Sequence, residues 1–391
     1  MPSTHFLTPS LMKISALLDG SPEPDDRVVD LASRMTPKPP RIVVQATIDE
    51  AADREALREG LVARPAHSLP KFFYDLQGSA LFSAICELDE YYPTRTEAQI
   101  FHAHREAIAR ALPGHSQWID LGCGDGAKSR GWLEPAHVRR YVGVDIAESW
   151  LRASLTALAS ERARASMPPG DGGREGARSR AGSLDIVGVV TDFTRPFDLH
   201  QVLAEEPDMP PVFFYPGSSI GNFTHDEARA FLAAIGEHIE RHASGDGRLL
   251  IGVDLIKDRS VLHAAYDDAL GVTAAFNRNV LRVANRLLDA DFDPEAFAHR
   301  AVFDERASRI EMQLVSMRAQ TVHIGADTGS DAGNDVRGFE EGEAIVTEYS
   351  HKYTVEGFAA LLEAAGFAGD HRLRWWTDER GWFGVFVAEP A

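Results

Sequence analysis

The chain has 391 residues, 44% hydrophobic and 25% charged, a globular balance that excludes wholesale disorder and a fibrous repeat. Forty Lys and Arg against 59 Asp and Glu give a net charge of −19, a field that repels phosphate backbones and disfavours nucleic acid or an anionic membrane as partner. Two cysteines, Cys86 and Cys123, cannot build a disulfide framework, no run of about 18 apolar residues occurs, and the first residues carry no basic-then-apolar signal. A monomeric cytoplasmic protein is the expectation.

Residues 1–42, with Pro2, Pro9, Pro22, Pro24, Pro37, Pro39 and Pro40, read as a flexible leader with a short helix near 11–18. Helical spacing then predicts helices over 47–62, 80–88 and 95–112. From Gln117 the period changes. Short apolar runs at 117–121, 140–145, 185–190, 211–215 and 248–254 alternate with helical stretches such as 149–159 and 226–242. That alternation predicts an α/β fold with a parallel, doubly wound, Rossmann-like sheet.

After Lys257 the alternation stops. Residues 260–288 read as mostly helical, and 308–318 and 343–352 as strands. A helix over 355–365 and an aromatic-rich ending over 372–387 rejoin the sheet, with Trp375, Trp376, Trp382 and Phe383 as core of a final hairpin. Residues 96–256 and 351–391 are therefore expected to form the cofactor domain, and 43–95 with 257–350 a second, substrate-binding α+β unit. The glycine-rich charged stretches 166–183 and 325–342 read as surface loops.

Asp120-Leu-Gly122-Cys-Gly124-Asp-Gly126 lies between a strand and a helix, where glycines let the backbone take positive φ and a ligand approach closely. The GxGxG spacing differs from the dinucleotide GxGxxG, and no phosphate-gripping P-loop is present, which disfavours a nicotinamide oxidoreductase. Asp145 ends the next strand, placed to accept ribose hydroxyls, and Asp192-Phe193 ends the third, where an adenine would lie. A nucleoside without phosphates fits best, and S-adenosylmethionine (SAM) is the expected cofactor. His115, His225, His263 and His351 show no metal-ligand spacing and no metal is expected. Cys123 reads as turn packing.

Longer motifs carry a resemblance. Pro70-Lys-Phe-Phe-Tyr-Asp75, Gly78-Ser79, Tyr91-Tyr-Pro-Thr-Arg-Thr-Glu-Ala98, Gly217-Ser-Ser-Ile-Gly-Asn-Phe-Thr224, Tyr266-Asp-Asp268, Gly271-Val-Thr-Ala-Ala-Phe-Asn-Arg-Asn279, Ile310-Glu-Met312 and Thr347-Glu-Tyr-Ser350 resemble, in order, the signatures of the histidine-specific SAM-dependent methyltransferases. The resemblance covers about 43–391. The glycine turn departs from it, being the generic methyltransferase form rather than a Ser/Thr-rich one.

The resemblance implies Nα-trimethylation of L-histidine to hercynine, the first step of ergothioneine biosynthesis. The same chemistry on another amino acid, such as tryptophan, is the alternative. It implies that Gly122, Lys128, Asp145, Asp192 and Phe193 hold SAM with Tyr74 beside it. Tyr91, Asn222 and Tyr266 would hold the α-amino and α-carboxylate groups. Glu348 and Ser350 would grip the imidazole, with Met312 packed beside it. Tyr74 and Asn222 are the candidate catalytic residues, one receiving the amine proton and the other orienting the nitrogen. From residue type alone, Tyr91 reads as a packed aromatic, Asn222 equally as a cap, and Glu348 as a solvated strand residue.

Overall fold

Two strands near the start of the chain, β1 (Arg41–Val44) and β2 (Ala66–His67), enter different sheets, and that split announces the architecture. The computed structural model describes residues 39–45, 50–165, 184–325 and 335–391. The expected helix at 11–18, most of the leader and the 166–183 stretch lie outside them.

The predicted runs become β3 (Gln117–Leu121), β4 (Arg140–Asp145), β5 (Asp185–Val190), β6 (Pro211–Tyr215) and β7 (Arg248–Asp254). They are buried on both faces, so they read as continuous apolar segments rather than alternating ones. An inserted unit contributes β8 (Phe297–Asp304), β9 (Arg309–Ser316), β10 (Gln320–Ile324), β11 (Asp335–Phe339) and β12 (Ala344–His351). The chain then returns through β13 (Arg374–Thr377) and β14 (Phe383–Ala388).

The main sheet runs β1-β5-β4-β3-β6-β7-β14-β13, with β1 and β3 through β7 parallel and β14 antiparallel to β7. From β3 the chain steps outward to β4 and β5, then crosses to β6 and β7 on the other side. The order reverses between β3 and β6, and in such sheets ligands bind outside the strand ends at that reversal. The inserted sheet runs β2-β12-β9-β8, with β10 and β11 as a separate pair. Its own apolar core includes Leu61, Leu281, Phe297, Leu314 and Ile345.

Several expectations are corrected. Arg41 and Ile42, read as leader, and Val43 and Val44, read as part of the substrate unit, instead pair with β5 in the main sheet; their half-exposed edge position gives little apolar signal. The single helix over 95–112 is two, Tyr92–Ala103 and Arg105–Ala111, because His104 leaves helical geometry at φ −111°. A boundary at 95/96 would therefore cut a helix. Within 325–342, residues 335–339 are a strand that turns Arg337 and Phe339 inward, so this part is core and not loop. Of the final aromatics, Phe383 is buried, whereas Trp375 keeps 48% of its surface exposed.

One buried polar cluster joins the two units. Asp254 ends β7, Lys352 follows β12, and both are almost wholly buried. Lys352 Nζ lies 2.8 Å from Asp254 Oδ2, and Lys257 Nζ 2.5 Å from Asp254 Oδ1. Tyr92 donates its hydroxyl to the same carboxylate at 2.7 Å. Backbone hydrogen bonds from Tyr353 N to Asp254 O and from Ile256 N to Tyr353 O close the seam. Removing a carboxylate that neutralises buried ammonium groups is costly, because they are left uncompensated. Asp254→Asn should lower unfolding free energy by about 3–5 kcal/mol, measured by guanidinium titration; a loss under about 1 kcal/mol would show that the seam is not held by this charge.

Candidate active site

The turn after β3 holds Gly122, Gly124 and Gly126 at φ 70°, 52° and 68°, a conformation that side chains other than glycine rarely adopt. Gly122 and Cys123 donate their amides to Val144 O, pinning the turn to β4. Asp145 accepts from Gly124 N at 3.2 Å and Ala147 N at 3.0 Å, and burial raises its carboxyl above the ordinary range. The Phe193 ring lies over Gly122, where an added Cβ would stand 3.2 Å from it. Asp192 sits in an ion network, 3.5 Å from Lys71 and 3.6 Å from Arg195, both of which also contact Asp53. Gly122, Asp145, Asp192 and Phe193 thus gather at the ends of β3, β4 and β5.

Beside them opens a cavity whose mouth faces solvent. The structure brings Tyr74, Tyr91, Asn222, Tyr266, Met312, Glu348 and Ser350 together in its wall. Each comes from a different local cause. Tyr74 follows a single turn, Pro70–Phe73, that starts on proline. Asn222 ends the turn Ser219–Asn222 after β6, and it is free to face the cavity because Thr224 and Glu227 cap the next helix reciprocally. Glu348 and Ser350 share one face of β12, and β9 places Met312 directly opposite Glu348. Tyr266 ends the helix Arg259–Tyr266.

Five of the lining residues are aromatic. Tyr74 stands edge-on to Phe82 and Phe276 at 5.6 and 5.8 Å, Phe82 to Tyr91 at 6.3 Å, and Tyr91 to Tyr266 at 6.4 Å between centroids. The enclosing protein raises the phenols of Tyr74 and Tyr91 well above the usual value near 10. Burial pushes the Glu348 carboxyl up to about 7, with the Lys352 ammonium opposing the rise.

Lys128 links the two halves. Its Nζ donates to Glu97 Oε2 at 2.6 Å and lies 3.0 Å from where a Cβ on Gly217, a cavity residue, would stand. Glu97 in turn accepts the Gly217 amide at 2.7 Å. It fits only because residue 252 is glycine: a Cβ there would lie 2.1 Å from Glu97 Oε1.

Glu97, Asp254, Thr273, Phe276 and Lys352 were not singled out from sequence. Glu97 stood inside a quoted motif, but its residue type gave no role. Lys352 had a usable signal, since it continues the every-second-residue face of Glu348 and Ser350. Among the described residues, Asp198, His200 and His238 lie close enough to suggest a metal site. Both His238 nitrogens are engaged by backbone, however, at 2.6 Å to Ala234 O and 2.9 Å from Leu199 N. The cluster reads as structural.

Comparison with known proteins identifies the family. Residues 53–390 match the family model described as histidine-specific methyltransferase, SAM-dependent. A histidine N-alpha-methyltransferase of Mycobacterium tuberculosis (strain CDC 1551 / Oshkosh) is 38% identical over 358 residues, covering 89% of this chain and 99% of the relative. Another, from Mycolicibacterium smegmatis, is 38% identical over 348 residues, covering 87% and 96%. An L-tryptophan methyltransferase of Psilocybe serbica is 27% identical over 343 residues, covering 84% and 90%. This chain belongs to the histidine-specific, SAM-dependent methyltransferases.

Proposed function

We propose that the protein transfers methyl groups from SAM to the α-amine of L-histidine three times, giving hercynine, the opening step of ergothioneine biosynthesis. The observation that carries this reading is the pairing of Glu348 and Ser350 on one cavity face, with Met312 beside them. A carboxylate and a hydroxyl can serve the two nitrogens of an imidazole. An apolar side chain would leave that carboxylate unpaired, and an indole, which has one N–H and no ring acceptor, would leave the Ser350 hydroxyl without its partner, which is how such a site rejects the wrong amino acid. The relatives named for histidine methylation support the same acceptor.

In this reading Gly122, Lys128, Asp145, Asp192 and Phe193 hold SAM with Tyr74 beside it, and SAM supplies an electrophilic methyl on a sulfonium. The chain must align nitrogen, methyl carbon and sulfur. Asn222 orients the amine, and Tyr91 and Tyr266 complete the grip on the amino acid backbone. An α-amine titrates above pH 7, at about 8 in a peptide and higher in a free amino acid, so a minor neutral population is accessible near pH 7 without a strong base. With its phenol raised well above the usual value, Tyr74 is scarcely ionised near pH 7 and does not act as an anionic base. Tyr74 therefore serves as a hydrogen-bond partner that passes the proton to water. As methyls accumulate the nitrogen becomes a fixed cation, and a face of Tyr74, Phe82, Tyr91 or Phe276 turned towards it is worth about 0.5–2 kcal/mol.

Incubation with SAM and an equimolar mixture of the twenty amino acids, read by mass spectrometry, should yield histidine heavier by three methyl groups. A mono- or dimethylated end product would overturn the trimethylation, and a methylated tryptophan would overturn the acceptor. Tyr74→Phe should lower kcat at least tenfold; an unchanged rate at every methylation step would remove Tyr74 from the proton path.

The elevated Glu348 carboxyl gives a prediction of opposite sign for stability. Its folded pKa, about 7, lies above the ordinary 4.5. Its contribution to stability is thus complete below about pH 4.5 and lost as pH rises through 7. At pH 8 the ionised carboxylate opposes folding. Glu348→Gln should therefore melt roughly 2–4 °C higher than the unaltered protein at pH 8. The gap should close towards pH 4.5, while kcat/KM for histidine falls at least tenfold. A lower melting temperature at pH 8 would contradict the electrostatic account.

A further inference from the structure

Behind Ser350 and Tyr266 the hydrogen-bond accounting closes in a way that the residues touching the ligand do not explain by themselves. Lys352 Nζ has three hydrogens and three acceptors: Asp254 Oδ2 at 2.8 Å, Ser350 Oγ at 2.7 Å and Tyr266 Oη at 3.0 Å. Burial alone would lower its pKa, but Asp254 and then Tyr266 outweigh it, so the ammonium stays charged. Both hydroxyl oxygens must then act as acceptors towards Lys352. They also lie 2.7 Å from each other, so one donates to the other. Two hydroxyl hydrogens enter this arrangement and one is consumed between them. A single hydrogen is left over, and the oxygen that carries it, accepting from both Lys352 and the other hydroxyl, has no lone pair to spare for a donor; the one free lone pair lies on the hydroxyl that donates.

The phenol is the stronger acid and the alcohol the better acceptor, so Tyr266 donates to Ser350. The remaining hydrogen belongs to Ser350, on the face it shares with Glu348.

We propose that Lys352 is a positioning residue that sets the acceptor's ring state: by fixing both hydroxyls as acceptors it makes Ser350 a one-way donor towards the ligand. This rests on the reading that the cavity takes histidine. The atom facing Ser350 must then be an unprotonated ring nitrogen, and the atom facing the Glu348 carboxylate an N–H. A neutral imidazole satisfies both contacts. An imidazolium does not, because its second N–H would meet the hydrogen of Ser350. Without the ammonium, Ser350 and Tyr266 could each turn their hydrogens either way, and the preference would be lost.

The test is a double-variant cycle in kcat and KM for L-histidine at saturating SAM, using the unaltered enzyme, Lys352→Met, Ser350→Ala and the two combined. Calorimetric SAM binding reports that each variant is folded. If Lys352 acts through the Ser350 hydroxyl, each single change raises KM at least tenfold with kcat within about threefold. The combined variant then stays within about threefold of Lys352→Met. KM factors that multiply to about a hundredfold would overturn the proposal, as would a fall in kcat with KM unchanged.

A second measurement needs no variant. The unaltered enzyme should bind a pyrrolylalanine that keeps the ring N–H, but has carbon in place of the unprotonated nitrogen, at least tenfold more weakly than histidine in competition. Equal binding would overturn the proposal even if Lys352→Met does not fold. Should the enzyme leave histidine unmethylated, the functional reading itself fails. Methylated histidine with multiplying KM factors would remove only the role of Lys352.

Discussion

A carboxylate with two ammonium groups, enclosed where β7 meets the strand of the inserted sheet that carries Glu348 and Ser350, is the constraint on which the rest depends. Asp254 belongs to the cofactor sheet, and Lys352 to the segment that supplies the acceptor pocket. Charges in a low-dielectric interior tolerate little change in separation, because each ångström alters both attraction and solvation. The seam therefore fixes the register of one unit against the other. Two networks nearer the surface repeat the device: Lys71, Asp53, Arg195 and Asp192 tie the inserted unit to the end of β5, and Glu97 ties Lys128 to the turn after β6. Methyl transfer needs donor and acceptor in line, and in the proposed reading they are held by different units.

The pocket combines two kinds of surface with different tasks. One side is aromatic, built from Tyr74, Phe82, Tyr91 and Phe276, and in the proposed reaction it would meet a nitrogen that grows and becomes cationic. The other side is polar, with every hydrogen assigned, and intolerant of the wrong ring. Under the proposed function, specificity falls on the side chain of the acceptor and permissiveness on its amine, as repeated transfer to one nitrogen would require. A half-buried carboxylate that stands above its ordinary pKa is the cost of that division.

Strands β3 to β7 of the main sheet were legible residue by residue because fully buried parallel strands are uninterrupted apolar runs bounded by glycine and charge. The inserted unit was legible only in part, at 308–318 and 343–352, which contain β9 and β12. Its strand Phe297–Asp304 mixes histidine and arginine with apolar residues, and Asp335–Phe339 hides a two-residue alternation among glycines and acids. Arg41–Val44 is an edge strand with little burial, preceded by prolines that read as leader. At the site, residue type alone left Tyr91, Asn222 and Glu348 ambiguous; the ordered motifs resolved them. Lys352 and Asp254 escaped because charged residues in a sequence default to solvent. Nothing local reveals that two such residues about a hundred positions apart neutralise each other.

The insertion also orders events along the chain. β14 pairs with β7 in register from Phe383 against Asp254 to Ala388 against Leu249, so the main sheet is completed by a strand that follows the whole inserted unit. Closing that pairing means bridging well over a hundred residues, an entropic cost that a collapsed insert reduces by drawing its ends together. The inserted unit has the apolar core needed to collapse. During synthesis the edge of β7 stays open until β14 emerges, by which time every residue of the acceptor pocket has been made. The arrangement delays the final pairing of the cofactor sheet until the acceptor pocket is present to be locked against it.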